Sequence, residues 1–248
     1  MTEHDPSDAD PVPRQAGDLT HPGGMHARRV FPYDQLPNLD PFVVFERFSI
    51  EPTQGFDTHP HRGFEIVSYM LDGAMAHEDS MGHASTARPG DAMRITTGSG
   101  MQHSEMPGND KACSGLQLWV NLPRAKKEVE PSYQEASSEE LPVTERDGAT
   151  VTTVVGEDSP IDLHTPVTYQ DVSITDTWEW EIPDGWNGFA FVISGSGRVG
   201  EQSLETASFF TIENGGSVTI ESDTEVRIAV IAGEPHHEPI RQHGPFVL

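Results

Sequence analysis

The segment His59-Pro60-His61-Arg62-Gly63-Phe64-Glu65 has a counterpart further along the chain, Gly100-Met101-Gln102-His103-Ser104-Glu105. Each segment carries two potential metal ligands at positions i and i+2. Successive side chains of a β-strand alternate between its two faces, so ligands two residues apart point the same way. Two such strands facing each other inside a barrel would bring three imidazoles and one carboxylate together. The spacing therefore predicts a β-barrel with a metal site in its interior.

The donor set of this site suits a borderline divalent metal such as Fe, Co, Ni, Cu or Zn. A single histidine pair could equally be hydrogen-bonded polar residues on a loop, but the same spacing in two separate segments favours metal binding. Two carboxylates compete for the fourth position. Glu105 belongs to the second pair, and Glu65 would point to the same side as His61 if one uninterrupted strand joined them. The spacing leaves both carboxylates open.

The remainder of the chain has the texture of an all-β protein. Short runs rich in valine, isoleucine, phenylalanine and tyrosine are separated by glycine and proline turns. No stretch shows sustained helical periodicity. Regular short strands of this kind are typical of sandwiches and small barrels. We expect strands over residues 43–50, 66–70, 116–122, 151–155, 189–193 and 226–231.

Composition divides the chain into three parts. Residues 1–27 are polar, acidic and rich in proline and histidine, which predicts a disordered tail. A shift in composition near 123–142 indicates a connection between two domains, which we place at 28–138 and 139–248. Before position 236 the second domain has a single histidine, His164. We therefore expect the metal site in the first domain only.

A second polar cluster lies between the two histidine pairs. It consists of His77, Glu78, Asp79 and His83 around Gly82. We interpret it as a set of polar groups at the end of a hairpin, with an outer-shell role at the metal as the alternative.

The charge of the chain is strongly negative. Its 248 residues include 40 acidic and 15 basic ones, for a net charge of -25, and only three of the basic residues are lysines. A compact domain of this charge repels itself in dilute buffer, and molar salt screens the repulsion. The composition predicts adaptation to a salt-rich cytosol. It also argues against direct binding to nucleic acid, which needs a basic surface.

Other features favour a cytoplasmic protein without membrane attachment. The first residues, MTEHDPSDADPVPR, have neither the basic region nor the apolar core of a secretory signal. No apolar run approaches the ~18 residues of a membrane span. The single cysteine, Cys113, excludes an internal disulfide framework.

Several of these segments together resemble the pirin family. The likeness runs from about residue 28 to the end of the sequence, and it is carried by residues 59–65, 76–83, 98–107, 115–122 and 232–246. The resemblance implies two cupin domains in tandem, each a jelly-roll-like β-barrel, with a metal in the N-terminal barrel only. The metal ligands that it implies are His59, His61, His103 and Glu105. It thus favours Glu105 over Glu65, which we place in the outer shell.

The resemblance also implies a function. Bacterial members of the pirin family oxidise the flavonol quercetin with O₂. We therefore expect a metal-dependent dioxygenase of the quercetin 2,3-dioxygenase type, acting on a flavonol or a similar enediol-type small molecule. The expected cofactor is one divalent ion, Fe(II) first, with Ni, Cu, Co, Mn and Zn as alternatives. Glu105 is the expected catalytic base. The alternative function is a non-catalytic, iron-dependent redox regulator that binds a protein partner.

Overall fold

The chain folds into two β-barrels that pack against each other. The computed structural model describes residues 10–248. Within that range the helical residues form two short 3₁₀ turns, Gly108–Asp110 and Arg124–Lys126. No helix of the described chain is long and apolar enough to cross a membrane. The expected all-β class is confirmed, and each of the six predicted strands overlaps a strand of the structure.

The first barrel consists of two antiparallel sheets. The strands of this half are β1 (Arg14–Gln15), β2 (Gly17–Thr20), β3 (His26–Phe31), β4 (Phe42–Ile50), β5 (Phe56–His61), β6 (Phe64–Asp72), β7 (Met75–Asp79), β8 (Ala84–Ala87), β9 (Ala92–Thr96), β10 (Met101–Pro107), β11 (Cys113–Asn121) and β12 (Ser132–Ala136). One sheet has the order β12-β9-β6-β11-β4-β3-β2, and the other has the order β5-β10-β7-β8.

The second barrel is built around one large antiparallel sheet. Its half of the chain contributes β13 (Val143–Arg146), β14 (Ala149–Val155), β15 (Val167–Ile174), β16 (Thr177–Ile182), β17 (Asn187–Val199), β18 (Gln202–Glu205), β19 (Ser208–Ile212), β20 (Gly216–Glu221), β21 (Val226–Gly233), β22 (Gln242–His243) and β23 (Phe246–Val247). The main path is β1-β19-β17-β21-β15-β14-β13, with β16, β18 and β20 attached through β17. Strands β22 and β23 pair with each other. The expected domain boundary at 138/139 falls between β12 and β13.

Strand alternation sorts the side chains into separate cores. In β11, Leu116 and Leu118 join the core between the two barrels, whereas Trp119 packs on the core inside the first barrel. In the core between the barrels, the ring of Phe45 lies edge-on to Phe189 of the second barrel, with ring centroids 4.8 Å apart. The interior of the second barrel is filled with aliphatic and aromatic side chains, whereas the interior of the first barrel contains histidines.

Both ends of the described chain cross to the opposite barrel. Strand β1 pairs with β19 of the second barrel, and Phe246 of β23 bridges Arg62 of the first. The prediction of a disordered tail over 1–27 is wrong for 14–20, where β1 and β2 form. These strands gain their hydrogen bonds from β19 and β3, which the local composition does not reveal. Residues 1–9 of the predicted tail lie outside the described residues.

Candidate metal centre

Strands β5 and β10 place three histidines together inside the first barrel. The strands are antiparallel, with His103 directly opposite His59. The Nε2 atoms of these two rings are 3.0 Å apart. One ring nitrogen from each of His59, His61 and His103 lies within 4.8 Å of the others. Of the four predicted i, i+2 ligands, β5 thus contributes His59 and His61 to this group, and β10 contributes His103.

Hydrogen bonds from the backbone orient two of these rings. The Nδ1 of His59 lies 2.8 Å from the carbonyl oxygen of Asp57, and the Nδ1 of His61 lies 3.2 Å from that of Pro245. A carbonyl oxygen only accepts hydrogen bonds, so each Nδ1 carries the proton and each Nε2 keeps a lone pair. Metal-binding histidines are commonly held in this way, because the bond fixes both tautomer and ring orientation.

Burial keeps His61 and His103 neutral. It lowers the pKa of His61 to about 3, with a further contribution from the neighbouring His59. Burial likewise holds the pKa of His103 well below its ordinary value. Among the described residues the buried Nδ1 of His103 has no hydrogen-bond partner. Neutral imidazoles with available lone pairs are the form that binds a metal, and His61 and His103 are held in that form. Together with His59, whose Nε2 lies 3.0 Å from that of His103, they fit a borderline divalent ion.

Glu105 lies inside the same barrel but outside the group of three. It is buried on β10, where a register shift after His103 places it opposite Phe56 of β5. Both carboxylate oxygens accept from the side-chain amide of Gln117, at 3.2 and 3.3 Å. Burial raises the pKa of the Glu105 carboxyl. The carboxylate is thus held against β11 by one neutral donor.

Glu65 has a different environment from the one predicted. Its carboxylate accepts from the hydroxyl of Thr96 at 2.7 Å and from the backbone N–H of His164 at 2.8 Å. Glu65 would point to the side of His61 only if one strand joined them, and this condition is not met, because β5 ends at His61 and β6 begins at Phe64. In β6, Glu65 therefore shares a face with Val67 and Tyr69, which belong to the core between the barrels. Its placement in the outer shell of the metal is wrong: Glu65 ties the two barrels together.

The second polar cluster divides between the hairpin end and the barrel interior. Asp79 accepts from the backbone N–H groups of Met81 and His83, as expected for the end of a hairpin. His77 instead is fully buried, with its ring stacked on Tyr133 and its centroid 5.4 Å from that of His103. The hairpin interpretation holds for Asp79 and His83, while His77 contacts the candidate metal centre.

Aromatic side chains and a surface cavity complete the surroundings. The rings of Phe64 and Trp119 stack at 4.2 Å, and Trp119 lies edge-on to His61 at 5.1 Å. A cavity of about 350 Å³ reaches His61 between the β5 and β10 ends and is bordered by Phe246. The alternation of β11 could have indicated Gln117 and Trp119 from the sequence. No sequence signal pointed to Pro245, which is 184 residues from His61.

Comparison with known proteins identifies the family. The family description "Pirin" matches residues 24–120, and "Pirin C-terminal cupin domain" matches residues 169–248. The chain belongs to the pirin family. Human pirin is 42% identical over 238 residues, which cover 91% of this chain and 82% of the human protein. The expected tandem of two cupin domains is confirmed.

Solved structures of other proteins share this pirin-family fold. A quercetin 2,3-dioxygenase from Acinetobacter baumannii is 26% identical and superposes with a TM-score of 0.86, covering 97% of this chain and 92% of that one. The bacterial pirin YhhW from Escherichia coli, in complex with nickel(II), is 20% identical with a TM-score of 0.76, covering 91% of this chain and 99% of that one. The second likeness concerns the fold alone.

Proposed function

We propose that this pirin-family protein is a metal-dependent dioxygenase of the quercetin 2,3-dioxygenase type, acting on a flavonol or a similar enediol. The observation that carries the proposal is the convergence of three imidazoles inside the first barrel, two of which burial keeps neutral. The fold similarity to the Acinetobacter baumannii quercetin 2,3-dioxygenase supports the reaction class.

In this proposal His59, His61 and His103 hold one divalent ion, with Glu105 as the fourth ligand. Fe(II) is the first candidate for the ion. When bound, the ion supplies a Lewis acid that lowers the pKa of a coordinated substrate hydroxyl, together with open positions for small molecules. The Nδ1 hydrogen bonds of His59 and His61 keep both rings in the tautomer that presents Nε2 to the site.

Glu105 has a second role in the proposal, as the base that takes the proton of the substrate hydroxyl. Burial raises the pKa of this carboxyl, which makes it a stronger base than an exposed glutamate. Gln117 holds the carboxylate in place before the transfer. The stacked rings of Phe64 and Trp119 offer a flat apolar wall beside His61, which suits a planar aromatic substrate.

The experiment compares two glutamate variants in one assay. Protein purified in high salt is analysed for bound metal, and quercetin-dependent O₂ uptake is then measured for the wild type, Glu105→Gln and Glu65→Gln. Loss of a general base is expected to lower turnover by about 10²–10⁴-fold in Glu105→Gln. Glu65→Gln is the matched control. That buried carboxylate contacts Thr96 and the backbone N–H of His164, and it does not bond to the three histidines of the candidate metal centre.

Three results would contradict parts of this proposal. Full turnover by metal-loaded Glu105→Gln would remove Glu105 as the base. A wild-type protein that binds no divalent metal would remove the metal centre itself. Metal-loaded protein without O₂ uptake on flavonols and related enediols, but with redox-dependent binding to a protein, would indicate the regulator instead.

A further inference from the structure

The last residues of the second half of the chain form part of the first barrel. We call residues 244–248 the closing segment. Phe246 bridges Arg62 in parallel orientation, and the backbone N–H of Val247 donates to the carbonyl oxygen of Arg62 at 3.0 Å. The side chain of Val247 is fully buried in the first-barrel core that includes Phe64 and Met101. The first barrel is therefore incomplete without this segment.

The closing segment supplies the group that orients His61. Pro245 accepts the Nδ1 proton of His61 through its backbone carbonyl, at 3.2 Å. The bond depends only on where the backbone lies, since a carbonyl oxygen is present at every residue. The position of the segment therefore decides whether His61 presents Nε2 to His59 and His103.

Lys127 is the side chain that fixes this position. Its ammonium group donates to the carbonyl oxygen of Gly63 at 2.7 Å and to that of Val247 at 3.1 Å. A third bond, of 2.6 Å, goes to the side-chain oxygen of Asn121 at the end of β11. One half-buried ammonium thus joins the turn after His61, the closing segment and the central sheet of the first barrel.

The chemistry of an ammonium explains why one residue can do this. It has three N–H donors and no acceptor, which matches three oxygens converging from separate elements. None of the three partners is a carboxylate. The role of Lys127 is therefore to join three segments of the chain, through two backbone carbonyls and one side-chain amide oxygen, rather than to form a surface ion pair.

We propose that Lys127 is a positioning residue for the metal centre, acting on His61 through the closing segment. The inference rests on the proposed site at His59, His61 and His103. Outer contacts of metal-binding histidines typically change metal affinity by about 10–100-fold when removed. Loss of the Lys127 ammonium frees the closing segment, and His61 loses the acceptor that fixes its tautomer.

The test uses the full chain with two readouts and compares Lys127→Met with Lys126→Met. The first readout, taken on metal-stripped protein, is the ¹⁵N chemical shifts of the His61 ring, which report its tautomer. The second is the dissociation constant and visible spectrum of Co(II). Lys127→Met is expected to reduce the Nδ1–H tautomer of His61, raise the Co(II) dissociation constant by about 10–100-fold and alter the spectrum. Lys126 is the neighbouring exposed lysine, and its variant is expected to match the wild type.

A stability control separates positioning from a general loss of structure. Val218→Ala removes buried side-chain volume from the core of the second barrel, away from the closing segment. It is expected to lower the melting temperature while leaving the His61 tautomer and the Co(II) spectrum unchanged. If Val218→Ala altered them as Lys127→Met does, the effect would be general destabilisation and the positioning role would be overturned.

The remaining outcomes are equally decisive. Wild-type values for the tautomer and for Co(II) in Lys127→Met would overturn the inference. If the wild type binds no Co(II), the proposed metal site fails, while the tautomer still tests the role of Lys127.

Should Lys127→Met not fold, Val247→Ala replaces it. This substitution weakens the anchor of the closing segment and leaves all the backbone hydrogen bonds of that segment in place. It is expected to shift both readouts in the same direction, and unchanged readouts would overturn the inference.

Discussion

Glu65 and Glu105 are both buried glutamates of the first barrel, and they differ in what surrounds them. Glu65 receives a hydroxyl and a backbone N–H, from Thr96 and His164. Among residues 10–248, the amide of Gln117 is the one side-chain group that donates to Glu105. A buried carboxylate with few donors is costly in its charged form. The proposed metal explains why a carboxylate lies buried beside three histidines, because the positive charge of the ion would compensate that cost.

This cost gives a prediction for metal-free Glu105→Gln. Burial raises the pKa of Glu105 above its ordinary value of 4.5, so the folded state binds this proton more tightly than the unfolded state. The stability from this group is therefore present below about pH 4.5 and lost as the pH rises. At pH 7.5 glutamine should therefore stabilise the metal-free protein relative to the charged carboxylate. Thermal melts of both proteins from pH 4.5 to 7.5 measure the difference.

The predicted difference has a defined pH dependence and a control. It should shrink towards pH 4.5, where the wild-type carboxyl is protonated and resembles the amide. In the metal-loaded proteins it should reverse, since glutamine lacks the charge that the ion needs. A variant less stable than the wild type at pH 7.5 without metal would show that Glu105 is already compensated by other groups.

At the scale of single residues, the sequence predicted that the histidines lie together, but it did not predict the surroundings of Glu65. The i, i+2 spacing holds within β5, so His59 and His61 lie together as expected, and β10 brings His103 to them. The same alternation does not extend to Glu65, because β5 ends at His61 and a new strand begins at Phe64. Alternation is a property of one strand and does not pass through a turn.

The turn between β5 and β6 is the element that interrupts the alternation between His61 and Glu65. Gly63 has a φ of +87°, which side chains rarely adopt. A Cβ at this position would also overlap the carbonyl oxygen of Val247 in the closing segment. Gly82, in the hairpin between β7 and β8, has a similar φ of +94° but open space around it. The two glycines thus share a positive φ and differ in what lies beside them.

The pair predicts different costs for the same substitution. Gly82→Ala should lower the free energy of unfolding by about 1 kcal/mol, which is the cost of holding an alanine at a positive φ. Gly63→Ala should cost at least about 2 kcal/mol more, because the clash with Val247 moves the closing segment. Urea unfolding of both variants and the wild type measures the difference. Equal costs would show that the closing segment yields easily, and would weaken its assigned role at His61.

The shortest elements were the hardest to predict. Strands β1 and β2 have two and four residues, too few for an alternating pattern to emerge from an acidic, proline-bearing sequence. Their hydrogen bonds come from β19 and β3, which are distant or separated by a glycine turn. The closing segment has the same character, since β23 is two residues long and its partner Arg62 is far away in sequence. Such contacts depend on the assembled fold.

At the scale of the whole molecule, the two barrels are joined by contacts of several kinds. Aromatic rings such as Phe45 and Phe189 fill the core between them. The buried Asp171 of the second barrel accepts from Tyr69 of the first at 2.9 Å and from Arg227 at 2.6 Å. The crossing chain ends add strand pairing on both sides. The two cupins were predictable as separate domains, whereas this exchange of terminal strands was not.

The net charge of -25 opposes the compact state. The Debye length falls from about 10 Å at 0.1 M salt to about 3 Å at 1 M, so repulsion between surface carboxylates is screened in concentrated salt. We therefore expect the melting temperature to rise between 0.1 M and 3 M KCl. Glu179 and Glu181 are exposed on β16, where they alternate with the buried Trp178, Trp180 and Ile182. The double variant Glu179→Lys, Glu181→Lys therefore lowers the negative charge without removing a core side chain. That variant should melt higher than the wild type at 0.1 M and show a smaller gain at 3 M. A wild-type melting temperature that is independent of KCl would contradict the salt adaptation predicted from composition.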